Sequence, residues 1–242
     1  MSWVLKNDLY CVNSFFYDMN IPHCITTKKA SNIRNPKFLE RFLNTIKTED
    51  FFCNWDNKPI FSGTQIHGDN IYEIQKNIFR PGYVTVENTD ALYSVNKDAL
   101  MLVFTADCIP VFIISKDKKI KALAHAGWRG VFNNIVGKTI IEIKKKYFTS
   151  EFFVVFGPHL KKCCYEVGKE FQKFFKLDQF VIKGQRRFFL DMEKHLILKL
   201  KELGIKQTDI FKSNYCTGCN NDLFFSYRFD NKTDSRIGSF LG

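Results

Sequence analysis

Between Ala99 and Gly130 the chain reads ALMLVFTADCIPVFIISKDKKIKALAHAGWRG, a stretch holding a cysteine and a histidine that can meet. Two apolar runs flank the polar turn Ser115-Lys116-Asp117-Lys118-Lys119, the pattern of two adjacent strands. Pairing residue 115 with 119 and counting back sets His125 opposite residue 109, or opposite 110 after a one-residue slip. Cys108 then lies one or two positions from His125, within the ~7–8 Å reach of diagonal cross-strand neighbours. Pro110 has no N–H for a ladder and marks a strand edge or bulge at this point. Asp107, Cys108, His125, Trp128 and Arg129 are therefore expected at one end of a sheet.

Two chemistries suit such a pair. A thiolate beside an imidazole is a nucleophile with its base. Alternatively, the two side chains are zinc ligands that lack a third. His67, in Gln65-Ile66-His67-Gly68-Asp69, is the best third candidate, because it closes a short strand and precedes a glycine that allows close backbone approach. Three protein ligands and an open fourth position make a catalytic zinc site; four make a structural one. Against both stands the plainer reading that the two histidines are merely hydrogen-bonded and Cys108 is a buried hydrophobe. Spacing alone leaves these open.

The elements that must position these residues follow from apolar patterning. Strands are expected near Trp3–Leu5, Ile60–Phe61, Ala99–Thr105, Ile109–Ser115, Lys119–His125, Phe152–Phe156 and Phe180–Ile182. Ile135, Thr139, Ile143 and Tyr147 recur at four-residue spacing within a helix expected over Val131–Tyr147. Further helices are expected over Pro36–Lys47, over Lys169–Lys176, and from Asp191 to a stop at Gly204. Strands and helices mix without strict alternation, so the fold class is α+β rather than a doubly wound sheet.

Composition narrows the function classes. The chain has 242 residues, 45% of them hydrophobic, 26 Phe and a formal charge of +11. That is enough apolar sequence for a substantial core, and it excludes disorder. Its longest apolar stretches fall short of the ~20 residues a membrane span needs. The N-terminal MSWVLKNDLYCV has no basic segment followed by an apolar core, so a secretory leader is not expected and a cytoplasmic location is. The Lys-rich charge is read as a solvated face, not a nucleic-acid surface. Eight cysteines without a leader read as reduced thiols, most of them buried hydrophobes. Cys216-Thr217-Gly218-Cys219 is a C-x-x-C, but adjacent Cys163-Cys164 is a poor second pair, so a zinc ribbon is not expected. His195 is expected on a helix surface.

Thr105-Ala106-Asp107-Cys108-Ile109-Pro110-Val111 and His125-Ala126-Gly127-Trp128-Arg129-Gly130 resemble two motifs of the bacterial YfiH-type family. Its members were once called laccase-domain or multicopper polyphenol oxidoreductases and are now described as purine nucleoside phosphorylases with adenosine deaminase activity. Further blocks match in order: Gln65-Ile66-His67-Gly68, Phe156-Gly157-Pro158, Cys164-Tyr165-Glu166-Val167-Gly168, Cys216-Thr217 and Phe225-Ser226-Tyr227-Arg228. The match runs from about residue 60 to the C-terminus. Residues 1–59 diverge: Thr26-Thr27-Lys28-Lys29-Ala30-Ser31 has Lys28 where the family carries Arg, and lacks its glycine pair.

The resemblance implies one layered α/β/β/α sandwich domain over residues 1–242, with mixed sheets and the site in a pocket at their end. It implies that His67, Cys108 and His125 bind one catalytic Zn2+, with copper ranked behind it. It implies purine nucleosides and phosphate as substrates, with a homo-oligomer left open. Arg129 and zinc are then candidates for holding phosphate, with Lys28 a helper. Asp107 is a candidate for moving protons or orienting a ligand. Trp128 and Tyr165 are candidates for stacking on a purine, and His159 and Arg228 for touching substrate. Hydrolysis of UDP-muramyl cell-wall precursors is the alternative activity. Copper-dependent phenol oxidation ranks below it, since the chain has five histidines in all. The non-enzyme reading is a basic binding module with a structural metal.

Overall fold

The computed structural model describes residues 2–55, 57–75, 81–95, 98–184 and 187–242. The runs Leu100–Thr105 and Ile109–Ser115 are buried along their whole length, as strands covered on both faces must be. They belong to different sheets. Leu100–Thr105 is in a seven-stranded sheet, between Ile237–Leu241 and Pro59–Gly63. Ile109–Ser115 is in a six-stranded sheet, between Phe152–Phe156 and Lys121–Ala126. A smaller sheet joins Glu166–Val167, Arg187–Leu190 and Phe180–Lys183.

Alternation along these strands assigns each residue to a layer. Met101 and Val103 pack with Phe112, Ile114 and Leu123 between the two large sheets. Leu100, Leu102 and Phe104 point the other way and pack with Leu39, Phe42 and Ile46 of the helix Pro36–Ile46. Val111 and Ile113 face the helices Ile135–Tyr147 and Met192–Glu202. The order is helix, sheet, sheet, helix, the layered sandwich expected.

Helix ends follow local chemistry. Asn35 caps Pro36–Ile46 by accepting from the Lys37 N–H, with Pro36 at the first turn. Asp191 caps Met192–Glu202 through the Lys194 N–H. Two expectations need correction. The helix over Val131–Tyr147 is broken into Trp128–Phe132 and Ile135–Tyr147, because Asn134 adopts φ 62° and turns the chain. Lys169–Lys176 forms only a 3-10 turn over Lys169–Lys173. His195 is also corrected: it is buried, with its ring against Phe175 and Nδ1 3.1 Å from Gln179 Oε1.

The strand pair of the first motif takes the slipped register. Ser115 donates its N–H to Ile120, not Lys119, because Lys118 adopts φ 62° and lengthens the turn. His125 consequently lies opposite Pro110.

Candidate metal centre and its cavity

Cys108 sits where the chain crosses from one large sheet to the other, between Leu100–Thr105 and Ile109–Ser115. His125 closes on it from Lys121–Ala126, and His67 from the loop after Pro59–Gly63. The ligating atoms of His67, Cys108 and His125 all lie within 4.8 Å of one another. The two imidazole rings stand 4.7 Å apart and nearly perpendicular. His67 is exposed, Cys108 half-buried and His125 buried, so the group opens to solvent on one side. Gly127 leaves the necessary room: a Cβ there would stand 2.9 Å from His67 Cδ2 and 3.1 Å from Cys108 Sγ.

Asp90, which sequence reasoning missed, positions both histidines. Its carboxylate accepts the His125 Nδ1–H at 2.8 Å, which leaves Nε2 free to serve as a ligand. The same carboxylate accepts the backbone N–H groups of Ile66, His67 and Gly68 at 3.2, 3.1 and 2.8 Å. It thereby holds His67 in the left-handed region, at φ 59°. Burial pushes the Asp90 carboxyl up, but His125 and these amides bring it below its usual range. Gln65 fixes the same loop from the other side. Its amide exchanges two hydrogen bonds with the Phe104 backbone, at 2.7 and 2.8 Å, as a strand neighbour would.

The site is electrically prepared for a cation. Burial opposes ionisation of Cys108, but the His125 charge and hydrogen bonds from both histidines bring the thiol below its ordinary value. Burial likewise opposes protonation of His125, while Cys108 and Asp90 hold it above its ordinary value. The chain by itself therefore favours a thiolate paired with an imidazolium, and a divalent metal would take the proton's place. One soft thiolate and two imidazoles fit zinc or another late divalent ion.

Above these residues lies a cavity of about 450 Å³, within the range of small-molecule sites. Arg34, Arg129, Arg228 and Arg236 line it together with Trp128 and Tyr165. Burial and the charge of Arg34 push the Arg236 guanidinium below its ordinary value, so the two cations share one neighbourhood. Arg228 lies over the Tyr165 ring at 5.3 Å. Trp128 packs against Phe171 and Phe174 and carries the Arg129 guanidinium 4.3 Å from its ring centre.

Three expected site residues have other employment. Asp107 borders the cavity, yet its carboxylate already accepts from Thr217 Oγ1, Ser226 Oγ and the Arg228 N–H at 2.7, 2.6 and 2.8 Å. At φ 89° it is a strained residue pinned by those bonds, so it fastens the C-terminal loops to the crossing segment that carries Cys108. Lys28 is not among the cavity's residues. It pairs with Asp230 at 2.9 Å and lies over Phe225. His159 is buried, with Nδ1 2.8 Å from the Gly157 carbonyl, and it too lies outside the cavity lining. Arg34 and Arg236, which spacing did not single out, occupy the rim instead.

The cysteines hold a second surprise. Cys163, Cys164, Cys216 and Cys219, whose adjacent pair the sequence marks as a poor partner for the C-x-x-C, form another group whose ligating atoms all lie within 4.8 Å of one another. A parallel bridge between His159 and Cys216 brings the two loops together.

A Cys-His-His group at the end of layered sheets, beneath a cavity lined by arginines, defines a protein with a candidate open metal centre. Residues 46–242 match the family described as multi-copper polyphenol oxidoreductase laccase, and the chain belongs to it. It is 36% identical over 161 residues to a purine nucleoside phosphorylase of Clostridium acetobutylicum, covering 63% of this chain and 66% of that one. It is 29% identical over 213 residues to a purine nucleoside phosphorylase of Borreliella burgdorferi, covering 84% and 85%. The chain thus spans just under two thirds of the first relative and most of the second. Among solved structures, YlmD from Geobacillus stearothermophilus superposes with a TM-score of 0.85 at 21% identity, covering 99% of this chain and 98% of that one. YfiH of Bacillus licheniformis gives the same TM-score at 20% identity and the same coverage, so the fold is shared. No helix among the described residues is long and apolar enough to cross a membrane.

Proposed function

We propose that this chain is a zinc-dependent purine nucleoside phosphorylase that also deaminates adenosine. The observation that carries the reading is the open group of His67, Cys108 and His125 at the base of a cavity lined by four arginines. Relatives named purine nucleoside phosphorylase supply the substrate class.

Phosphorolysis breaks the bond between C1′ of the ribose and the purine nitrogen and forms one between C1′ and a phosphate oxygen. The protein must hold an anion, orient a sugar and accept a flat base. Arg129, Arg228, Arg34 and Arg236 provide the charge-assisted donors for phosphate. Tyr165 and Trp128 provide aromatic wall for the purine. Asp90 keeps His125 in the tautomer whose Nε2 faces the centre, and by gripping three amides it keeps His67 there too. Zinc, when bound, supplies Lewis acidity to the oxygen nucleophile, which is phosphate in phosphorolysis and water in deamination. Asp107 acts only through what it positions, namely Arg228 on one side and Cys108 on the other.

The test is adenosine turnover with and without phosphate, with metal content measured on the same sample. Adenine and ribose 1-phosphate appearing only with phosphate, together with zinc, are expected. Inosine without any phosphate-dependent adenine would reduce the reading to deamination. Zinc with no nucleoside turnover would overturn it and direct the search to amide bonds of UDP-muramyl precursors. Copper with phenol oxidation would overturn both the metal and the reaction.

A further inference from the structure

Cys163 and Cys164 end one loop of the chain; Cys216 and Cys219 belong to another. Sγ of Cys163 lies 3.5 Å from that of Cys216 and 3.5 Å from that of Cys219, and Cys164 lies 3.4 Å from Cys219. A tetrahedron with ~2.3 Å zinc–sulfur bonds separates its corners by about 3.8 Å. The four sulfurs are therefore near the spacing a single ion requires. They are too far apart for the ~2.05 Å sulfur–sulfur bond of a disulfide. They are also too close together for a multi-iron cluster, which spreads its thiolates around several metal atoms.

Burial of small hydrophobes does not account for the group, because Cys163 and Cys219 are exposed and Cys164 is half-buried. Thiols are weak donors and acceptors, so four of them turned toward one point gain little from each other. Backbone geometry supports the convergence. The Lys161 N–H donates to Cys216 Sγ at 3.4 Å, a contact suited to a thiolate. Gly218 is obligatory at the turn between Cys216 and Cys219. A Cβ there would stand 2.9 Å from Cys164 Cβ, 2.9 Å from Leu160 Cδ1 and 2.8 Å from Phe229 Cε2.

We propose that Cys163, Cys164, Cys216 and Cys219 bind one Zn2+ as a closed structural centre, separate from the group at Cys108. Four thiolates fill the coordination shell and leave no position for substrate. The centre's position gives it a task. Cys164 precedes Tyr165, which lines the cavity, and Thr217 follows Cys216 and donates to Asp107. Arg228 bridges the two loops, with its side chain donating to the Glu166 carbonyl at 3.0 Å. The ion would clamp the loop that leads into Tyr165, which lines the cavity, to the loop whose Thr217 holds Asp107. This holds whatever reaction the cavity supports.

The experiment is metal analysis of the full-length chain beside Cys108→Ala and the double variant Cys163→Ser/Cys219→Ser. Two zinc per chain in the parent and one in each variant are expected. Because the double variant could fail to fold, Cys108→Ala is also stripped and reloaded with Co2+. One equivalent with intense near-ultraviolet sulfur-to-cobalt charge transfer and tetrahedral visible bands is expected. On stripping, amide exchange in 161–168 and 216–229 should accelerate at least tenfold. Cys108→Ala holding no metal, a native mass showing disulfides among the four cysteines, or an iron–sulfur absorption spectrum would each overturn the proposal.

Discussion

The two sulfur-bearing groups differ in what surrounds them more than in how tightly they converge. Each brings its ligating atoms within 4.8 Å. At Cys108 the thiol is one donor of three, the imidazoles are steered by a buried carboxylate, and the open side faces an arginine-lined cavity. At Cys216 all four donors are sulfur, and none of them lines that cavity. An incomplete donor set beside a cavity leaves a coordination position for chemistry, while a complete set at a loop crossing serves to hold chain segments together. Convergence of ligands says little about role until the missing ligand is counted.

Removing one ligand from each group is the strongest way to break that distinction. Cys108→Ala should lower nucleoside phosphorolysis by roughly 10³-fold or more, because the Lewis acidity at the reacting oxygen goes with the metal. The midpoint of thermal unfolding should fall by what the bound metal adds to the folded state and should lie close to that of the metal-stripped parent. Steady-state kinetics and calorimetry on one preparation check both halves. Full turnover by this variant would sink the assignment of the open centre.

Asp90→Asn probes the support rather than the ligands. An amide in place of the carboxylate weakens the grip on His125 Nδ1–H and on three backbone amides. Metal affinity at the open centre should drop 10–100-fold. Competition with a chelator measures it. Metal binding at the four cysteines, as proposed, should be unaffected, and a drop at both would mean the two groups are not independent.

How much of this was legible in the sequence depends on how far apart the partners lie. The apolar runs around Cys108 and the turn at 115–119 placed Cys108 beside His125 because hairpin register is local. The remaining one-residue uncertainty came from a left-handed Lys118 that no side chain demands. Asp90 was invisible, since its partners 22 to 35 positions away are reached only through the sheet order. The convergence of the four cysteines is hidden for a similar reason. Spacing rules expect two matching pairs, whereas here an adjacent pair meets a C-x-x-C across the bridge between His159 and Cys216. Lys28, in the divergent N-terminal segment, and His159, beside Phe156-Gly157-Pro158, show their partners only in the fold, where Asp230 pairs with the one and the Gly157 carbonyl lies against the other.

Thr217→Val cuts the direct link between the two groups. Thr217 lies between Cys216 and Cys219, and its hydroxyl donates to the carboxylate of Asp107, the residue before Cys108. Valine keeps the shape and removes one of three donors to a buried carboxylate, costing about 1.5 kcal/mol of stability. Chemical denaturation should show that loss with the metal content of the parent unchanged. Should the open centre lose its metal as well, the Asp107 bridge would prove necessary to its geometry.

The smallest effect is expected at Lys28, which pairs with Asp230 away from the arginine-lined cavity. Its ammonium is held by Asp230, both side chains are about a quarter exposed, and neither residue lines the cavity. Ion pairs of that exposure contribute roughly 0.2–1 kcal/mol. Lys28→Ala should therefore cost less than about 1 kcal/mol in stability and leave the KM for phosphate within about twofold of the parent. Phosphate titration of initial rates decides the point. The rim is already supplied with Arg34, Arg129, Arg228 and Arg236, whose planar forks suit a phosphate better than a single ammonium. A tenfold rise in KM would mean that Lys28 leaves Asp230 when phosphate enters, and the anion site would then have to extend to the N-terminal segment.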